Sequence, residues 1–316
     1  MRRALWIFVL HLSLSQANAD PVLRVGSIPT GTLKWELATI QDLALDKKNQ
    51  ITLEVISLAN PEAAKIAILG QNVDLIVGDW VWVAKQRNEN RDLKFSPFST
   101  SHGALVVPPN SPIQKISDLK DRKLGIAGGG LDKNWLLLKA LASQEFNLNL
   151  AATVEPVFAA PPLLNESLKK GELDALLTYW NYAAKLEAEG YRTLITGKEI
   201  LQQLGVKEEV PSLGYIFPGQ YASRHPTAIS GFLNATATAR ETICKSETQW
   251  KKLEPVLDEK DPNVRDRLRS KYCEGTVKVF GQSQIEAAKL IYSLLEEKKG
   301  VMPDGVFWSK PEIENK

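Results

Sequence analysis

The chain has 316 residues, with 39 Lys and Arg against 37 Asp and Glu, and 44% of it is hydrophobic. That length suits one large or two medium domains, each able to bury a sizeable core. Near-neutral charge argues against a nucleic-acid face and against broad attraction to anionic lipid.

The chain opens as an export signal. Met1-Arg2-Arg3 is a short basic start, residues 4–14 are apolar apart from His11 and Ser13, and Ala17-Asn18-Ala19 is a small-residue cleavage site. The apolar run is shorter than the roughly 20 residues a permanent membrane helix needs. Residues 1–19 are therefore expected to be a cleaved signal peptide. Asp20, rather than Cys, follows the cleavage site, so no lipid anchor is expected and the mature protein is placed in the periplasm. Without Arg2 and Arg3 the basic and acidic residues balance at 37 each.

From there, short apolar runs alternate with helical spacing. Residues 23–26 read as a strand, and Leu33, Leu37, Ile40 and Ala44 recur as one helix face. Residues 53–56 form a second strand, and Pro61 opens a helix through Leu69. Residues 73–77 form a third strand, followed by a helix from about 81 to 90. This βαβαβα order predicts a mainly parallel sheet flanked by helices. Residues 98–107 look extended. A second set follows, with strands at 123–127, 154–158, 175–178 and 191–195 and helices between them. Residues 213–217 are a further strand, and beyond His225 the chain is almost wholly helical. The expected fold class is α/β with two lobes in series and two crossovers. Lobe 1 spans 20–101, lobe 2 spans 102–208, and residues 209–316 return to lobe 1 and end in helices.

Cys244 and Cys273 are the two cysteines. In an oxidising compartment an even pair predicts one disulfide, and two unpaired thiols in helices are the alternative. Their spacing fits neither a metal site nor a C-x-x-C motif. With His11 in the leader, only His102 and His225 remain, so neither a metal nor another cofactor is expected.

An ordered set of short motifs resembles the periplasmic solute-binding proteins of ABC importers, in the nitrate/sulfonate/taurine group. The opening is Leu23-Arg24-Val25-Gly26-Ser27-Ile28-Pro29, and Leu69-Gly70-Gln71-Asn72-Val73-Asp74 stands where that group has ALxxGxxD. Gly103-Ala104-Leu105-Val106-Val107 precedes Ser111-Pro112-Ile113 and the run Ile116 to Gly125. Gly171-Glu172-Leu173-Asp174-Ala175 repeats the GxxDA idea, and His225-Pro226 starts the helix after the second crossover. The resemblance covers about residues 23–243. It implies the two-lobed periplasmic-binding-protein fold and a receptor closing by hinge motion on a small-molecule solute. It also implies a monomer that delivers the solute to an inner-membrane ABC permease with a cytoplasmic ATPase. The chain departs from the group at two places. Its second-lobe loop, Gly128-Gly129-Gly130, lacks the usual hydroxyl, and Gly78-Asp79-Trp80-Val81-Trp82 is unusually aromatic. Both point away from a small inorganic anion and toward an organic molecule such as a sulfonate, an aromatic or a pyrimidine-like ring.

Ligands of open α/β sheets bind at the carboxyl ends of the strands. Those ends nominate Thr30, Lys34 and Trp35 after the first strand, and Asp79 and Trp80 after the third. The first crossover adds Ser101. The glycine loop adds Gly129, Gly130, Lys133 and Trp135, and the next strand end adds Tyr179, Trp180 and Asn181. The second crossover adds Tyr215. Aromatic walls suit flat rings or organic cations. The same tryptophans also fit as spacers between helix and sheet, and the glycines as a tight turn. Two rival readings are an enzyme on the same fold and a periplasmic sensor. The only general-base candidate is His102, and no nucleophile, P-loop or metalloprotease signature accompanies it.

Overall fold

The computed structural model describes residues 20–295 and 300–308. The expected signal peptide, residues 1–19, lies outside them. No helix among the described residues is long and apolar enough to cross a membrane.

The first lobe begins β1 (Val22–Ser27), α1 (Leu33–Asp42), α2 (Leu45–Lys48), β2 (Thr52–Ser57), α3 (Pro61–Leu69), β3 (Ile76–Gly78), α4 (Trp80–Asn88) and β4 (Leu93–Ser99). The second lobe runs β5 (Ala104–Val107), β6 (Lys123–Ala127), α5 (Lys133–Phe146), α6 (Leu150–Thr153), β7 (Glu155–Ala159), α7 (Pro161–Lys169), β8 (Ala175–Thr178), α8 (Trp180–Ala188), β9 (Arg192–Thr196) and α9 (Gly197–Gln203). The chain then returns through β10 (Leu213–Pro218), α10 (Gly219–Arg224) and α11 (Pro226–Lys245). It ends in α12 (Glu247–Lys252), α13 (Glu254–Leu257), α14 (Pro262–Glu274) and α15 (Gln282–Leu295).

In the first lobe β1 pairs in parallel with β2, and β10 lies between β3 and β4, antiparallel to both. The Gly26 amide donates to Leu75 O at 2.8 Å and ties the two sheets together. The second-lobe sheet has the order β7-β6-β8-β5-β9. Its β6 pairs in parallel with β7 and β8, whereas β5 is antiparallel to β8 and β9. The sheets are therefore mixed rather than mainly parallel. The antiparallel pairs all involve the strands that flank the crossovers, where the chain changes lobe. The extended stretch expected over 98–107 is likewise two strands in different sheets, β4 and β5, joined by the first crossover.

The repeated GxxD motif has a structural role in both lobes. Asp74 accepts from the Arg24 amide at 2.9 Å, and the Arg24 guanidinium lies 2.6 Å from the same carboxylate. Asp174 accepts from the Lys123 amide at 2.8 Å. Each aspartate's own amide donates back to the same strand's carbonyl, Arg24 O at 2.8 Å and Lys123 O at 2.9 Å. A carboxylate two or fewer residues before the strand thus fixes the register in which the neighbouring strand enters. Helix starts follow their capping residues. Asn60 accepts from the Ala63 amide ahead of Pro61, and Thr196 with Glu199 forms a reciprocal capping box.

The helical tail touches both lobes. On α11, Ile229 and Phe232 join the first-lobe core with Leu23, Val25 and Tyr215. On α15, Ala288, Ile291 and Tyr292 are buried in a cluster that also holds Leu137 and Leu141 of the second lobe. Cys244 and Cys273 form a disulfide that joins α11 to α14.

Candidate functional site

The carboxyl ends of β1, β3, β6 and β8 bring the loops of the two lobes face to face. Trp35, in the first turn of α1, and Trp180, which opens α8, meet edge to face with ring centroids 6.2 Å apart. Trp250 and Tyr272 of the tail complete the cluster, at 5.8 and 5.3 Å from Trp35. Beside it, the Asn181 side-chain amide donates across the lobes to Thr30 O at 3.2 Å. The Trp35 indole N–H is buried without an acceptor among the described residues. Lys34 is half-buried near Lys185 and Asp258, and burial lowers its pKa.

Two carboxylates stand at helix starts in opposite lobes. Asp79 caps α4, accepting from the Trp82 amide at 3.0 Å. Asp132 caps α5, accepting from the amides of Asn134 at 2.8 Å and Trp135 at 3.4 Å. Burial pushes the Asp132 carboxyl up to about 6, and the Asp79 charge adds to the rise against the lowering by those amides. The Tyr179 hydroxyl lies close by. A Cβ built on Gly128 would stand 2.5 Å from that hydroxyl and 2.8 Å from Asp132 Oδ2, so the bare glycine with φ +87° is what lets the three groups converge. Burial raises the Tyr179 pKa, and Asp132 and Asp79 raise it further. The amides at the α5 start are thus occupied by the chain's own carboxylate. Gly129 has open space around it and Gly130 is exposed.

Other candidates face elsewhere. Trp80 is fully buried in an apolar cluster, and its indole N–H donates to Pro211 O at 3.0 Å. Trp135 packs in the same cluster, with Leu137 and Leu138 of its own helix, and the Lys139 ammonium stands 5.5 Å from its ring. Lys133 is buried, and Nζ donates to Ser212 O and Oγ at 3.1 and 2.9 Å. Its charge is spent on the second crossover, and burial lowers its pKa. Ser101 lies in the first crossover, its hydroxyl against Gly275. Tyr215 sits in the first-lobe core, stacked on Phe98 at 4.6 Å, with its hydroxyl donated to Glu36. The structure therefore brings Trp35 and Trp180 of opposite lobes into one buried apolar cluster with Trp250 and Tyr272 and sets Asn181 against Thr30 beside it, whereas Tyr179 packs on the second-lobe core next to Asp132. It places Trp80, Lys133, Trp135 and Tyr215 in interiors or at the hinge.

Sequence reasoning missed Trp250 and Tyr272, which wall the cluster from the tail. The one available signal was Cys273, whose disulfide draws its neighbour Tyr272 toward the lobes. His102 lies in the first crossover and lines a cavity of about 150 Å³ with Lys198, Gln202, Val206 and Lys207. Burial holds its pKa down to about 3, with the Val210 carbonyl beside it and the Lys133 and Lys198 charges near.

A family model described as NMT1/THI5 like matches residues 47–248. The Escherichia coli (strain K12) protein named "Putative aliphatic sulfonates-binding protein" is 28% identical over 147 residues, 46% of this chain and 42% of that protein. The match thus spans less than half the length of this curated relative. Among solved structures, the periplasmic aliphatic sulphonate binding protein SsuA from Escherichia coli superposes with a TM-score of 0.73 at 17% identity, over 93% of this chain and 94% of that one. The alkanesulfonate-binding protein SsuA from Xanthomonas axonopodis pv. citri, bound to MOPS, superposes at 0.69 and 17% identity, over 91% and 98%. At such identities the likeness shows the fold. The chain therefore belongs to the NMT1/THI5-like family, whose model matches well over half of its length.

Proposed function

We propose that the protein is an extracytoplasmic receptor that captures a small organic solute between its lobes and hands it to an ABC permease of the inner membrane. The observation that carries this reading is the meeting of Trp35 with Trp180, and of Thr30 with Asn181, from opposite lobes at the carboxyl ends of their strands. A solute that touches both lobes stabilises the closed form by its differential affinity for it. The crossovers, at residues 99–103 and 210–212, absorb the rotation as a hinge. Export by the leader at residues 1–19 puts the receptor in the periplasm. The SsuA relatives bind sulfonates, so sulfonates are the first solutes to test. Asp79, Asp132 and Tyr179 add acceptors and a hydroxyl, which favours a sulfonate that also carries an amine, or an amine-bearing ring, over a bare anion.

Native mass spectrometry of the protein purified from its host identifies the retained solute. Melting temperature and small-angle scattering then test it, against an alkanesulfonate, an aminoalkanesulfonate and an aminopyrimidine as probes. The cognate solute is expected to raise the melting temperature and reduce the radius of gyration. Trp180→Ala is expected to weaken its binding roughly 2- to 30-fold, the equivalent of about 0.5–2 kcal/mol for one aromatic contact. A tightly bound solute that leaves the scattering unchanged would sink the hinge reading. Turnover of the bound solute would favour an enzyme instead.

A further inference from the structure

The tail helix α14 is fastened to the first lobe at three places. Cys273 is bonded to Cys244 of α11. The Tyr272 hydroxyl donates to the buried Glu36 of α1 at 2.7 Å. Arg269 donates to Ile243 O at 3.0 Å and Cys244 O at 3.3 Å, and pairs with Glu247. Just beyond the helix the chain joins the hinge. The Thr100 amide donates to Gly275 O at 2.7 Å, the Val277 amide donates to Phe98 O at 3.1 Å, and Thr276 bridges Ser99. A Cβ on Gly275 would stand 1.8 Å from Ser101 Oγ, a measure of how closely the tail runs against the first crossover.

The other side of α14 holds the second lobe. Val264, Leu268 and Tyr272 recur every fourth residue and are buried with Trp180, Ala184 and Ala188, which recur every fourth residue on α8. Two apolar stripes of the same period form one seam. Charged pairs flank it. Arg267 grips Glu187, whose other oxygen accepts from the Thr193 hydroxyl at 2.7 Å. Lys185 lies 3.2 Å from Glu259. The seam joins an element covalently tied to lobe 1 to a helix of lobe 2, so the lobes cannot part without breaking it.

We propose that α14 is a third jaw of the receptor, tethered to the first lobe by the Cys244–Cys273 bond and closing on α8 of the second lobe, so that the disulfide sets how firmly the lobes hold together. The consequence for transport rests on the receptor reading above, but the contact itself is testable without any solute. Hydrogen–deuterium exchange is followed in the solute-free protein, with β1 and β6 as reference segments. In C244S/C273S the peptide covering residues 180–188 is expected to exchange roughly tenfold faster, with β1 and β6 unchanged, as a local opening requires. Unchanged exchange over 180–188, or a rise shared by all three segments, overturns the proposal. Should that variant fail to fold, Arg267→Glu decides with the disulfide intact. It is expected to speed exchange over 180–188, and the charge swap E187K/R267E to restore protection, whereas no rise in R267E overturns the jaw. A receptor that passes this test yet binds no solute would refute the transport reading alone.

Discussion

Glu36→Ala is expected to lower folding stability by about 3–5 kcal/mol, the range for removing one partner of a buried ion pair. The carboxylate is 1% exposed and is the common acceptor of three groups from three elements. Tyr215 of β10 donates to one oxygen, Tyr272 of α14 donates to the other at 2.7 Å, and Arg240 of α11 stands 3.5 Å away. Arg240 also donates to the Tyr215 hydroxyl at 2.6 Å, and its Nε has no partner among the described residues. Truncation leaves a buried guanidinium without its counter-charge and two phenols without an acceptor, and each loss is costly in a low-dielectric interior. Glu36→Gln keeps an acceptor and the side-chain volume, so it is expected to lose roughly 1–3 kcal/mol. Denaturant unfolding of both variants checks this. An unfolding free energy for Glu36→Ala within about 1 kcal/mol of wild type, at an unchanged slope, would show that the network contributes little. Because Glu36 follows Trp35, the same network also holds the aromatic wall in place from behind.

Much of this architecture can be read from short-range pattern, and much of the site cannot. Apolar runs and helical spacing locate β1, β2, β6, β8 and α3 because each signal lies within one element. The GxxD motifs are legible because Asp74 and Asp174 act on strands through backbone bonds that any sequence would need. The direction of a tryptophan at a helix start is different. Trp80 and Trp180 occupy matching places after β3 and β8, yet one donates to Pro211 and the other packs on Trp35. Nothing local separates them, since the difference lies in what the rest of the fold sets opposite each ring. Tyr215 presents the same problem. In β10, Tyr215 and Phe217 face one apolar cluster and Ile216 another. With both faces apolar, no alternation marks a side that opens on the cleft. Trp250 and Tyr272 are reached only through a tail whose return is set by long-range packing and one disulfide.

The largest pH effect is expected at the hinge, where His102→Gln should make the protein more resistant to acid. Burial, reinforced by Lys133 and Lys198, holds the His102 pKa at about 3 against an ordinary 6.5. Its Nδ1 is buried without a hydrogen-bond partner among the described residues, and His102 lines the cavity beside α9. A depressed folded-state pKa means the unfolded chain takes up the proton first. The stability tied to neutral His102 is complete above pH 6.5 and drains away as pH falls toward 3. The effect should be on the order of 2–4 kcal/mol across that window. Asp132 works in the opposite sense. Its pKa is raised from 3.8 to about 6, so its contribution is present below pH 3.8 and is lost as pH rises through 6. Melting temperatures measured from pH 3 to 7 separate the two. His102→Gln should flatten the acid limb, and Asp132→Asn, which keeps a side chain able to cap α5, should steepen it. Equal slopes in His102→Gln and wild type would mean that the imidazole is already solvated in the folded protein, and the hinge would then carry no proton-linked strain.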